Sequence, residues 1–157
     1  MLTEELKNLV KEIVEHTRAL KDRHTLEKDA PVNYACVFTQ SQSEYEMLVA
    51  AARQLGAVVK ETTKGQLFRI VLPLKTSAGE LQLLKIRVPD PTRPERGDAD
   101  FTIADYPTFK NTVLSRPEFK LIQKEGFEMI ELMDPSFKVR AYFSHPPLDQ
   151  QLRLRTL

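Results

Sequence analysis

Asp98 and Asp100 stand one residue apart in a run that alternates polar and apolar side chains. In a strand, this spacing turns Asp98, Asp100 and Thr102 to one face and Ala99, Phe101 and Ile103 to the other. Two carboxylates facing one space raise each other's pKa, which suits Asp98 to proton transfer and Asp100 to ligand contact. Arg87, Arg93 and Arg96 lie just upstream, with Asp90 among them. A guanidinium fork holds a carboxylate or phosphate through two parallel bonds. The three arginines therefore read either as a clamp on an anionic ligand or as a linker paired to its own aspartates, Asp90, Asp98 and Asp100.

Glu131 shares its alternation with Phe127, Met129 and Met133. A lone acid among large apolar groups is a candidate general base with a raised pKa; otherwise it reaches solvent or an arginine. Near the C-terminus, Lys138, Arg140, Tyr142 and Ser144 fall on one face and Phe137, Val139, Ala141 and Phe143 on the other. The apolar set should pack on helices, which leaves Arg140 and Tyr142 to contact a ligand. Tyr34 and Cys36 share a face in an earlier run, and Tyr34 joins the ligand-contact candidates. Cys36 has no His near it in sequence, so it reads as a buried small hydrophobe before a nucleophile.

These residues need elements to hold them. Residues 3–23 carry an apolar stripe at spacings of three and four, from Leu6 to Leu20, and predict an amphipathic helix. That stripe either packs on the same chain or forms a dimerisation arm. His16 and His24 are expected to be solvated. A strand follows over 34–40, and Ser43 with Glu46 predicts a capping box for a helix that stops at Gly56 as a left-handed cap. Strands are expected over 57–61, 67–72 and 81–88, with turns at Lys64-Gly65 and Ser77-Ala78-Gly79. After a charged hinge the order repeats. A strand over 100–104 leads into a helix opened by Asp105-Tyr106-Pro107, then strands over 119–124, 127–133 and 137–144.

The whole reads as an α+β chain of two tandem βαβββ units, which curve a mixed sheet into half-cups behind an N-terminal amphipathic helix. The expected divisions are a helix and connector over 1–32, the paired units over 33–145, and a polar tail over 146–157. Within 33–145, unit one spans 33–88, the hinge 89–97 and unit two 98–145.

Composition narrows the class. The chain has 157 residues, 41% apolar and 29% charged, with a net charge of +1. A balance this close to neutral argues against a nucleic-acid protein driven by bulk charge. One cysteine excludes an internal disulfide and suits a reducing compartment, and no run is long and apolar enough to span a membrane. A cytoplasmic address is the expectation. Phosphate-loop glycines, Cys/His metal frameworks and nucleophile elbows are all missing.

Two βαβββ units in tandem over residues 33–145, with Met133-Asp134-Pro135-Ser136-Phe137 between the last two strands, resemble the vicinal oxygen chelate superfamily. That superfamily includes glyoxalase I, extradiol dioxygenases and bleomycin-resistance proteins. An α+β sandwich or a pair of ferredoxin-like units would share the order. The resemblance implies a site on the concave sheet face and a divalent metal held by His, Gln or Glu of the first and fourth strands of each unit. This chain departs from that pattern: His16, His24 and His145 all lie outside the expected strands. Gln82 stands at a position resembling the usual Glu, and Gln82, Asp98 and Asp100 are the oxygen donors left for a hard cation. The expectation is a protein that binds a small polar, anionic ligand without the usual metal or any cofactor. Arg140, Arg87, Tyr34 and Tyr142 would orient the ligand. The alternatives are a divalent-metal lyase, isomerase or dioxygenase with an oxygen-rich site, and an interaction module with a filled core. The resemblance and the leading helix also raise a homodimer.

Overall fold

In a computed structural model, which describes residues 2–152, the chain folds around one open, curved sheet of eight strands. Helix α1 spans Leu2–His24. The first βαβββ unit follows as β1 (Val32–Phe38), α2 (Gln42–Leu55), β2 (Gly56–Thr62), β3 (Gly65–Thr76) and β4 (Gly79–Arg87). The second is β5 (Gly97–Phe101), α3 (Tyr106–Val113), β6 (Phe119–Lys124), β7 (Phe127–Leu132) and β8 (Val139–His145). A short helix, α4, occupies Leu148–Gln151. Part of the expected polar tail is thus helical, and Asn33 ties it back through 2.8 Å and 3.2 Å hydrogen bonds with Asp149. Residues 153–157 of that tail lie outside the described residues.

The strand order is β2-β3-β4-β1-β5-β8-β7-β6. In each unit the first and last strands pair in parallel, β1 with β4 and β5 with β8. The units meet where β1 and β5 run antiparallel, with Cys36 opposite Asp98, Ala35 opposite Ala99 and Tyr34 opposite Asp100. The repeated order predicts two units in one curved mixed sheet; the pairings add that both first strands lie at its centre.

The helices cover the convex face. The α1 stripe buries Leu6, Val10, Ile13, Val14 and Leu20. The helix packs on α2, β8, β1, β5 and β3, so most of its apolar stripe is satisfied within the chain. Gly97 permits that approach: a Cβ there would lie 2.3 Å from the Cys36 carbonyl oxygen and 2.9 Å from Ile13 Cδ1. On the other half, Phe109 of α3 packs on Phe143 of β8, with ring centroids 4.8 Å apart. Phe101, Ile130, Leu132, Ala141 and Phe143 complete the core on that side.

Local details differ from expectation. The α2 cap is Ser41, whose Oγ accepts from the Glu44 backbone N–H, while the Glu44 carboxylate accepts from Gln40 N–H. The capping box therefore sits two residues earlier than Ser43 and Glu46. Gly56 is extended, with φ of −174°, and opens β2 directly in place of a left-handed cap. Its Cβ would lie 1.9 Å from the Arg69 carbonyl oxygen, so close strand contact, not turn geometry, requires glycine there. His24 is not solvated: its ring meets Asp134 at 2.9 Å, and Arg116 donates to the His24 carbonyl at 2.5 Å.

Candidate functional site

With every long helix on the convex side, the concave face is left to polar side chains. Its centre is a cleft of about 210 Å³. The floor comes from β1 and β5, where alternation turns Tyr34, Cys36 and Asp98 upward. One wall is basic: Lys85 and Arg87 alternate on β4, Lys64 comes from the β2–β3 turn, and Arg93 from the hinge. The opposite wall is mostly apolar, with Ile122 of β6, Met129 of β7 and Tyr142 of β8, plus Lys124.

Asp98 is the acid at the centre. It is 7% exposed, and its Oδ1 has no hydrogen-bond partner among the described residues. Burial pushes its pKa to about 7, helped by the charge of Asp100 and opposed by Arg93, Lys85 and Arg87. Asp100 lies deeper. It accepts from the Ser144 backbone N–H at 3.1 Å and from the Ser144 hydroxyl. Burial raises its pKa to about 7 as well, against those two bonds, which favour the charged form. Tyr34 and Cys36 are driven well above their ordinary values, first by burial and then by Asp100 and Asp98 for Tyr34 and by Asp98 for Cys36.

The hinge arginines divide their work. Arg96 forks onto Glu44 at 2.9 Å and 2.8 Å and donates to the Phe38 carbonyl at 3.0 Å. It therefore ties the hinge to the N-terminus of α2 and does not pair with a hinge aspartate. Arg87 meets Asp90 at 3.2 Å, as the linker reading expects, and also lines the cleft. Arg93 lies 4.0 Å from Asp90, donates to the Tyr142 hydroxyl at 3.5 Å and sits over the Phe38 ring.

Glu131 is not a lone acid. It faces the concave side as alternation predicts and is 8% exposed. Its carboxylate accepts from the Tyr142 hydroxyl at 2.6 Å and pairs with Arg140 at 3.3 Å. Arg140 also lies 3.1 Å from Glu95 of the hinge. The register that places Glu131 opposite Tyr142 makes this network, so Glu131 and Arg140 brace the cleft from its side. Tyr142 bridges the two regions, and its pKa is raised by burial, then by Asp98 and Glu131.

The donors named for a cation do not fit one. Gln82 alternates with Leu84 and Ile86, which are buried under the helices, and its amide donates to the Ile70 carbonyl at 3.4 Å. Asp100 is engaged by Ser144, and the charges felt by Asp98 are mostly cationic. Among the described residues no group of three or more His, Cys, Asp or Glu is placed to hold a metal ion.

Of the seven residues the sequence names for a site, the structure brings Tyr34, Arg87, Asp98 and Tyr142 to one cleft, leaves Asp100 beneath it, and sets Glu131 and Arg140 beside it. Sequence reasoning missed Lys85, although two-residue alternation with Arg87 carries that signal. It also missed Lys64, Lys124 and Ile122, which reach the cleft only through the curl of the outer strands.

The fold is similar to that of a solved structure described as "Structural Genomics, Protein EC4020". The two are 11% identical with a TM-score of 0.73, over 98% of this chain and 92% of that one. At that identity the likeness concerns the fold alone. No protein-family model matches the sequence, and no curated protein matches it.

Proposed function

We propose that this protein binds a small organic anion in its concave cleft, on a scaffold of the vicinal oxygen chelate type that works without the usual metal. The observation that carries the reading is charge imbalance. Lys64, Lys85, Arg87, Arg93 and Lys124 line the cleft with a single acid, Asp98. Asp90 offsets part of the charge of Arg87 and Arg93 from outside the cleft. The lysines have no ion-pair partner among the described residues. The crowding is felt at Lys64, whose pKa is lowered first by the charge of Arg87. An anion entering this space relieves like-charge repulsion that water screens poorly in a concave, half-buried site.

Size and shape agree with a small ligand. A volume of 210 Å³ equals roughly seven water molecules at about 30 Å³ each, below the usual range for drug-sized ligands. The cleft is open and polar, unlike the filled apolar interior that an interaction module would need. Titration calorimetry with oxalate and inorganic phosphate tests the reading. Binding should weaken with salt, and Lys85→Met should lower affinity about fivefold. If neither anion binds, or if a diamine binds as well as they do, the reading fails.

A further inference from the structure

Two buried atoms say more about the anion. Arg87 Nε and Asp98 Oδ1 both belong to residues lining the cleft, and neither has a hydrogen-bond partner among the described residues. Arg87 is 8% exposed and Asp98 7%. The first is a donor in need of an acceptor, and the second an acceptor in need of a donor. A fully ionised dicarboxylate would serve Arg87 and face an ionised Asp98 with another oxygen that has no proton to give. The walls are also unlike. Most of the basic side chains, Lys64, Lys85, Arg87 and Arg93, come from the unit-one side and the hinge, whereas Ile122 and Met129 present apolar surface from the other, with Lys124 beside them.

Resting on the anion-binding reading, we propose that the ligand is a small hydroxy-carboxylate with a short apolar body. Its carboxylate sits on Arg87 and Arg93, its hydroxyl donates to Asp98, and its body lies against Ile122 and Met129. Asp98 is then the residue that sets specificity. A site built to bond a hydroxyl discriminates against the analogue lacking it, because its own buried group is left unpaired.

The test compares ligands on the unaltered protein. Calorimetry is run with α-hydroxyisocaproate, β-hydroxyisocaproate and isocaproate, and with oxalate as the plain anion. At least one hydroxylated acid should bind about ten- to a hundredfold tighter than isocaproate. Asp98→Leu should remove that advantage without weakening isocaproate. If Asp98→Leu does not fold, the comparison on the unaltered protein decides by itself. Should oxalate bind while the hydroxylated acids gain nothing over isocaproate, this inference is overturned and the anion-binding reading stands. If no anion binds, oxalate included, both fall together.

Discussion

The buried state of Asp98 should make the protein's stability fall as pH rises from about 5 to about 8. Its pKa stands at about 7, against 3.8 for an unperturbed aspartate. A folded pKa above the unfolded one means that the native state holds the extra proton in the interval between them. The stabilisation is fully present below the unfolded value and is lost as pH rises through the folded value. Three pKa units correspond to about 4 kcal/mol, and the portion lost between about pH 5 and pH 8 is about 2–3 kcal/mol. Asp100 shifts in the same direction, and the two carboxylates titrate as a pair, so their effects do not simply add. The groups facing Asp98 leave this sign unchanged. Tyr34, Cys36 and Tyr142 are pushed toward their neutral forms, and the pull of Lys85, Arg87 and Arg93 is already included in the value near 7. The acids held below their ordinary values, Glu4, Glu44, Asp90, Glu128 and Asp134, change stability at lower pH and with opposite sign. The chain has no tryptophan, so urea unfolding is best followed by far-ultraviolet circular dichroism at several pH values. Asp98→Asn should flatten the profile and be the more stable protein at about pH 8. Stability that holds level or rises from pH 5 to pH 8, or an unchanged slope in Asp98→Asn, would refute the reasoning.

Three further outcomes follow from the site's surroundings. Glu131→Gln leaves Arg140 with Glu95 alone and weakens the bond to Tyr142, and should cost about 1–3 kcal/mol in urea unfolding. Arg96→Ala and Arg93→Ala should separate scaffold from site: the first loses about 1 kcal/mol of stability with oxalate affinity unchanged, and the second loses oxalate affinity about fivefold with little change in stability. Gly97→Ala forces a Cβ against the Cys36 carbonyl and Ile13, and should destabilise by about 2 kcal/mol or more, seen as a lower thermal midpoint.

What the sequence shows well here is periodicity. Strand alternation predicted the concave placement of Arg140 and Tyr142 and the neighbours that share a face with Asp98 and Glu131, because side-chain direction in a strand depends only on counting by two. The same count applied to β4 pairs Lys85 with Arg87 and turns Gln82 away, whereas the resemblance of the element order to a metal-binding pattern points to Gln82. Contacts between strands are less legible. That Glu131 meets Tyr142 and Arg140 depends on the register of β7 on β8, which is set by the fold as a whole. Boundaries are the weakest point. Ser41 and Ser43 both precede a glutamate by three residues, and only the backbone shows that Ser41 is the cap. Gly56 resembles a helix terminator but exists for the approach of Arg69.

The cleft's two-sidedness is explained by the repeat that builds it. Cys36 faces Asp98 and Tyr34 faces Asp100 across the central pair, so the local two-fold relation carries Tyr34 onto Asp98 and Cys36 onto Asp100. Along the parallel partners, Lys85 beside Cys36 then corresponds to Tyr142 beside Asp100. The backbone is therefore doubled while the chemistry is not: unit one contributes Tyr34 and Cys36 to the floor and Lys64, Lys85 and Arg87 to the wall, and unit two contributes Asp98, Ile122, Met129 and Tyr142 with one cation, Lys124. A symmetric cleft of two basic walls would suit a symmetric dianion, and a cleft of two acidic floors would favour a cation. The mixed pairing instead puts most of the cations on one side, apolar groups with Lys124 on the other, and the one lining carboxylate, Asp98, between them. On the proposed reading, that asymmetry would make affinity for anions and selectivity for a hydroxyl separable, the first resting on Lys85, Arg87 and Arg93 and the second on Asp98.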